Sequence, residues 1–233
     1  MATRNWSTYQ QGIFSEVTDS RRNLAVSAVA GSGKTTTLVE VSNRLPKNAK
    51  VVFVAFNKHI VGELSARMKG VDCMTIHSLG MKGLHSGTSK KVVVKQYKYS
   101  DLVKDQLDDA QDVPLPVYAQ FAKATTEIVD KARLTLTDLQ NADAVDWMIE
   151  HFGILDDLTT AAVKADVSIS YLETRAIRIA AKVIRKGVRL YQERGEIDFT
   201  DMIYLPAQLN LSLPQYDVVL VDEAQDLSAA QLS

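Results

Sequence analysis

The chain has 233 residues, 46% hydrophobic and 24% charged, with a net charge of −1. That composition is ordinary for a globular protein with a real core, and it excludes a global attraction to nucleic acid or acidic lipid, so any such binding must come from local patches. A single cysteine, Cys73, rules out an internal disulfide, no apolar run approaches the ~18 residues of a membrane span, and the start lacks a signal peptide's apolar core; together these predict a soluble, cytoplasmic protein without a membrane partner.

In chain order, Asn23–Ala28 reads as a short buried strand that leads into a Gly-rich turn. Lys34–Arg44 then has the pattern of a helix closed by Pro46, and the Val-rich run Lys50–Phe56 reads as a second strand. Helical spacing of Ile60, Leu64 and Met68 predicts a helix over His59–Met68, and Val71–Ile76 predicts a third strand. Alternation of strands and helices argues for a parallel sheet covered by helices.

After about Lys95 the pattern changes. Tyr99 to Arg194 reads as successive helices, with breaks at Asp112–Pro116 and near Gly153, and the longest runs from Tyr171 to about Glu193. Along that helix Arg175, Arg178, Lys182, Arg185 and Arg189 recur at three- and four-residue steps, opposite Ala176, Ala180, Val183 and Ile184. Such a stripe is either a contact for a nucleic-acid backbone or a solvated face paired with acids elsewhere. Trp147 and Phe152 are expected to pack the helical block, and Cys73 to fill a small core position. Gly195 leads to the last strand, Tyr216–Val221. The predicted fold is α/β, a parallel sheet with a helical block inserted between its strands. No Cys/His cluster has metal-ligand spacing, so zinc is not expected.

Two segments carry chemistry. Ala28-Val29-Ala30-Gly31-Ser32-Gly33-Lys34-Thr35 has the form of a phosphate-binding loop, a pattern with a chance probability of about 2% in such a chain. Gly31 and Gly33 admit backbone conformations closed to other residues, so successive N–H groups and the following helix N-terminus can face phosphate oxygens. Lys34 is expected to reach the β- and γ-phosphates and Thr35 to hold magnesium. The second segment, Val218 to Val221, is an apolar run suited to burial on both faces, and Asp222 and Glu223 follow it. Asp222 is expected to hold the metal and Glu223 to orient or deprotonate an attacking water.

At Asp222-Glu223-Ala224-Gln225-Asp226 the chain resembles motif II of the UvrD/Rep-like superfamily 1 DNA helicases. Ala28 to Thr35 resembles motif I. Ala55-Phe56-Asn57-Lys58 resembles a shortened motif Ia, and Thr75-Ile76-His77-Ser78-Leu79 the Thr-Phe-His-Ser segment that follows. Gln10 is similar to the family's adenine-reading glutamine, with Gln11 an equally near candidate. Ile197-Asp198-Phe199-Thr200-Asp201-Met202 resembles the stretch before motif II. The resemblance spans nearly the whole chain and implies a RecA-like P-loop NTPase fold with an inserted all-helical subdomain. Residues 1–95 and 196–233 would form the two parts of the RecA-like domain, and residues 96–195 a helical insertion in the place of subdomain 1B.

The resemblance also implies roles. ATP and Mg2+ would be the ligands, with Gln10, Ala30, Gly31, Ser32, Gly33, Lys34, Thr35 and Thr36 around the nucleotide. Many relatives carry an arginine where Thr36 stands, so base stacking is expected to be weaker or supplied elsewhere; Trp6 and Tyr9 could flank the adenine or pack the core. Glu223, Lys34 and Gln225 would be catalytic, Gln225 sensing the γ-phosphate. Phe56, Asn57, Lys58, His77 and Ser78 would line a path for single-stranded DNA. The sequence ends at Ser233, just after motif II, so motifs III to VI and their arginines would come from elsewhere, such as a separate chain with the second RecA-like domain. An arginine finger contributes roughly 10³–10⁵ in rate in comparable enzymes, so this chain by itself is expected to hydrolyse ATP at a trace rate. The other readings are a non-catalytic ATP- and DNA-binding module and a small-molecule kinase, and Asp222–Asp226 argues against the kinase.

Overall fold

The computed structural model describes residues 5–20, 22–55, 57–108 and 112–232. They form a mixed α/β chain with two compact units, Met1–Leu79 with Pro214–Asp226, and Gly80–Leu213 with Leu227–Ser233.

The first unit holds a parallel three-stranded sheet in the order β2 (Asp72–Thr75), β1 (Val51–Ala55), β5 (Val218–Val221). β1 is central because its run Val-Val-Phe-Val-Ala can be dry on both faces, and all five residues are buried. Register pairs Ala55 with Thr75 and Val54 with Val221, so the strands end level at their carboxyl edge. Helices α1 (Thr8–Asp19), α2 (Lys34–Arg44) and α3 (Lys58–Arg67) supply Phe14, Val41 and Leu64 to a core with Phe53 and Leu220. Val52, Val54 and Met74 pack with Ile76, Leu79 and Tyr216 in a smaller cluster. Helix α4 (Ile76–Ser86) follows β2 directly and carries the chain into the second unit.

Two expectations fail here. Asn23–Ala28 is not a strand; it lies outside any ladder, with Leu24 and Val26 46% and 49% exposed. Extended preference is local, whereas a strand needs a partner's hydrogen bonds, and β5 pairs only with β1 among the described residues. For the same reason β5 is not buried on both faces, and Val219 is 55% exposed. Cys73, on the outer strand β2, is only half-buried.

The second unit is helical. It contains α5 (Lys98–Asp108), α6 (Leu115–Thr135), α7 (Ala142–Phe152), α8 (Asp156–Ala165), α9 (Ile169–Arg194), α10 (Asp201–Gln208) and the short α11 (Ala229–Leu232). Beside them, β3 (Val93–Val94) pairs in parallel with β4 (Glu196–Ile197). Val117, Phe121, Ile128, Met148, Leu158, Leu172 and Val183 are fully buried in one core. A side chain at Gly187 of α9 would strike the Tyr99 ring, so glycine sets how closely α5 approaches. Trp147 and Phe152 do not pack this core as expected. They are 55% and 37% exposed, Trp147 stacks on His151, and Lys131 lies over Phe152. Core contacts of α7 come instead from Val145, Met148 and Ile149.

The Asp198–Asp201 stretch closes a buried charge cluster. Arg133 donates to both Asp198 oxygens at 3.0 and 2.8 Å, and Lys98 donates to Asp201 at 2.6 Å. Tyr99 adds a hydrogen bond to Asp201 at 3.0 Å, and its ring lies 3.5 Å under the Arg133 guanidinium. Arg133 also donates to the more exposed Asp130 at 2.9 Å, so every buried charge of the group has an opposite charge beside it, as deep burial demands.

Candidate nucleotide site at the carboxyl edge of the sheet

Three segments of the first unit converge where the parallel strands end, the edge at which open α/β sheets bind ligands. The Gly-rich loop turns through Gly31 at φ +77° and Gly33 at φ +85°, both in the left-handed region where a side chain is strained. Gly33 is the N-cap of α2 and offers no side chain to the first helical turn. The first N–H groups are therefore free to face an anion, and the helix dipole adds positive potential there.

Lys34 and Thr35, the first two residues of α2, face the end of β5. The Lys34 ammonium lies 3.0 Å from each Glu223 carboxylate oxygen. Thr35 Oγ1 donates to Asp222 Oδ2 at 3.2 Å. Asp222 sits one residue past the ladder, its N–H 3.4 Å from the Val54 carbonyl. Glu223 takes φ +53°, the left-handed region, unusual for a non-glycine residue. Gln225, in the 3₁₀ turn Ala224–Asp226, donates to Glu223 Oε2 at 2.6 Å. The Gln225 hydrogen bond first, and Lys34 next, hold the Glu223 carboxyl below its ordinary range. Lys34 and Glu223 keep 29% and 37% of their side chains exposed, so a solute can reach both.

Ala30, Gly31 and Ser32 are exposed along the loop, and Thr36 is half-buried on α2. Gln10 is beside the loop but engaged at both ends of its amide. Its Oε1 accepts from the Ser7 N–H at 3.1 Å in a capping box, and its Nε2 donates to Thr37 Oγ1 at 3.0 Å. An adenine contact through Gln10 requires the Thr37 bond to exchange. Gln11 donates to the Trp6 carbonyl at 3.0 Å. Trp6 packs edge-on against Phe14, and Tyr9 is 88% exposed. Thr37 is a site residue that sequence reasoning misses; it is buried and also donates to the Gly33 carbonyl at 3.0 Å. The run Thr35-Thr36-Thr37 gives no sign of which hydroxyl turns inward.

The other candidates lie at the same edge. Asn57 and Lys58 follow β1, and His77 and Ser78 follow β2, just beyond the register pair Ala55 and Thr75. Asn57 caps α3 by accepting from the Ile60 N–H at 3.0 Å, and Lys58 is exposed. Ser78 and Thr75 share a hydroxyl hydrogen bond of 2.9 Å. His77 is half-buried, and burial pushes its imidazole pKa down, favouring the neutral form. Phe56 lies outside the described residues.

The donor set fits a polyphosphate with a hard cation. Asp222 and Thr35 offer adjacent oxygen ligands, and magnesium takes one or two protein carboxylates together with substrate phosphates and waters. Lys34 and the loop N–H groups supply positive charge beside them.

The family model described as UvrD/REP helicase N-terminal domain matches residues 9–233. A search of curated proteins finds no match to the chain. No helix among the described residues is long and apolar enough to cross a membrane.

Proposed function

The chain belongs to the UvrD/REP helicase N-terminal domain family, and on that premise we propose that it binds ATP with magnesium and couples hydrolysis to movement on single-stranded DNA when a second RecA-like domain is present. In this proposal residues 1–95 and 196–233 are the parts of a RecA-like domain, and residues 96–195 are a helical insertion. The observation that carries it is the approach of Lys34 and Thr35 to Glu223 and Asp222, across most of the sequence, at 3.0 and 3.2 Å. The Lys34–Glu223 pair keeps 29% and 37% of its side chains exposed, so it adds little to stability and can be exchanged for a ligand.

The pairs suggest how the residues work. Lys34 exchanges the Glu223 carboxylate for the β- and γ-phosphates when ATP enters. That exchange removes one of the two groups that hold the Glu223 pKa down, so Glu223 becomes more basic as it is freed to take a proton from water. Asp222 and Thr35 would hold a magnesium ion, whose charge would offset that of the phosphates. Gln225, which donates to Glu223 at 2.6 Å, orients the carboxylate, and in this reading it senses the γ-phosphate. Asn57, Lys58, His77 and Ser78, at the same sheet edge, line the single-stranded DNA path.

The test is equilibrium binding of a fluorescent ATP analogue with magnesium to the wild-type chain and to Lys34→Ala. An ammonium on phosphate in a partly shielded site makes a charge-assisted bond, and at least a tenfold loss is expected. Equal affinities would sink the proposal.

A further inference from the structure

Helix α9 separates its basic residues into two groups. Those at one margin of the outward face are paired: Arg175 reaches Asp112 at 3.0 and 3.1 Å, and Lys186 reaches Asp105 at 3.4 Å. Arg178, Lys182, Arg185 and Arg189 are exposed and have no ion-pair partner among the described residues. At 100° per residue these four fall within an arc of about 60° and extend about 16 Å along the axis. The arc lies opposite the buried Ala176, Ala180, Gly187 and Tyr191. Like charges three and four residues apart repel one another on a helix. Among the described residues, acids take the marginal cations and none pairs with the central row.

We propose that this row is a ridge that seats one phosphate strand of a DNA duplex. The inference rests on the reading above only in taking DNA as the polymer. A row of fixed cations neutralises a row of phosphates and releases their counterions, which makes binding strong at low salt and independent of sequence. The narrow arc can touch one phosphate row and no base edges. Single strands without sequence preference are held by stacking bases on aromatic platforms. The one aromatic side chain in line with the ridge, Tyr171, has its hydroxyl tied to Asp112 at 2.5 Å. A duplex presents its phosphates already ordered, one charge per about 1.7 Å of axis, and so suits a convex ridge without stacking groups.

The test is fluorescence anisotropy of the whole chain with a blunt duplex and, separately, an oligo-dT strand, from about 50 to about 200 mM salt, without nucleotide. The variant Arg178→Glu with Arg185→Glu should weaken duplex binding more than tenfold. It should also reduce the slope of log affinity against log salt by about 1.8, roughly 0.9 for each phosphate no longer neutralised. A matched variant, Lys47→Glu with Lys69→Glu, changes the net charge equally and should leave the slope intact. Arg178→Gln with Arg185→Gln, with helicity checked by circular dichroism, should give the same slope change without introduced repulsion. Absent duplex binding by the wild type, an unchanged slope, an equal effect in the matched variant, or a loss confined to oligo-dT overturns the proposal. No nucleotide enters this assay, so a chain that fails to bind ATP yet shows the slope change keeps the ridge and loses only the ATP reading.

Discussion

Each compact unit contains a cluster of opposed charges, and the clusters differ in their access to water. In the helical unit, Arg133 and Asp201 are 1% and 0% exposed, and Lys98, Asp198 and the outlying Asp130 complete the group. In the sheet unit, Lys34 and Glu223 meet at the same kind of distance but keep 29% and 37% of their side chains exposed. A buried ion has no substitute partner, so its pairing is permanent and its loss expensive. An exposed ion can exchange its partner for a ligand at little cost. The same chemistry therefore serves architecture in one unit and stays open to exchange with a solute in the other.

The largest effect should come from breaking the buried cluster. Arg133→Leu leaves Asp198 and Asp201 undercompensated and should cost about 3–5 kcal/mol, seen as a large fall in melting temperature. Lys34→Ala, which breaks the exposed pair, should change stability by less than about 0.5 kcal/mol. Comparable losses in the two variants would erase the distinction between the clusters.

Glu223→Gln sharpens the comparison on the side of ligand exchange. It removes the carboxylate that competes for Lys34 while keeping the side chain's shape. Affinity for the ATP analogue should rise about two- to fivefold, the scale of an exposed ion pair. Any ATP turnover measured with single-stranded DNA should fall at least a hundredfold, about the value of a positioned general base.

The smallest effect concerns a third clasp, on the surface of the helical unit. Tyr171 first and Arg175 second lower the Asp112 pKa to about 2. A lowered carboxyl contributes stability that is present above its ordinary pKa, about 3.9, and is lost as the pH falls through about 2. Solvent screening should keep the contribution under about 1 kcal/mol. Acid unfolding of Tyr171→Phe should begin at slightly higher pH than that of the wild type. Superimposable acid curves would show that the clasp contributes nothing.

Much of this arrangement could be read from residues alone. Helix α2 has the bounds expected from Gly33 and Pro46, and β1 is the buried central strand that its Val-rich run suggests. Breaks marked by Pro114 and Gly153 appear where expected. The end of α6 was not legible, because it turns through Leu136 at φ +56°, a residue that carries no turn signal. Nor could the exposure of Trp147 be foreseen, since an aromatic side chain at helical spacing looks alike on either face.

By itself the sequence determined the local devices: a loop whose glycines permit left-handed turns, strands dry enough for a sheet, and a helix with its cations on one face. These follow from conformational preference and periodicity, which act over a few residues. Only the tertiary structure decided which charges met. It paired Lys34 with Glu223 in reach of water, locked Arg133 against Asp198 away from it, and left Asn23–Ala28 without a ladder. Partner choice and burial depend on residues far apart in the chain, and burial sets whether an ion pair can be exchanged or must stay.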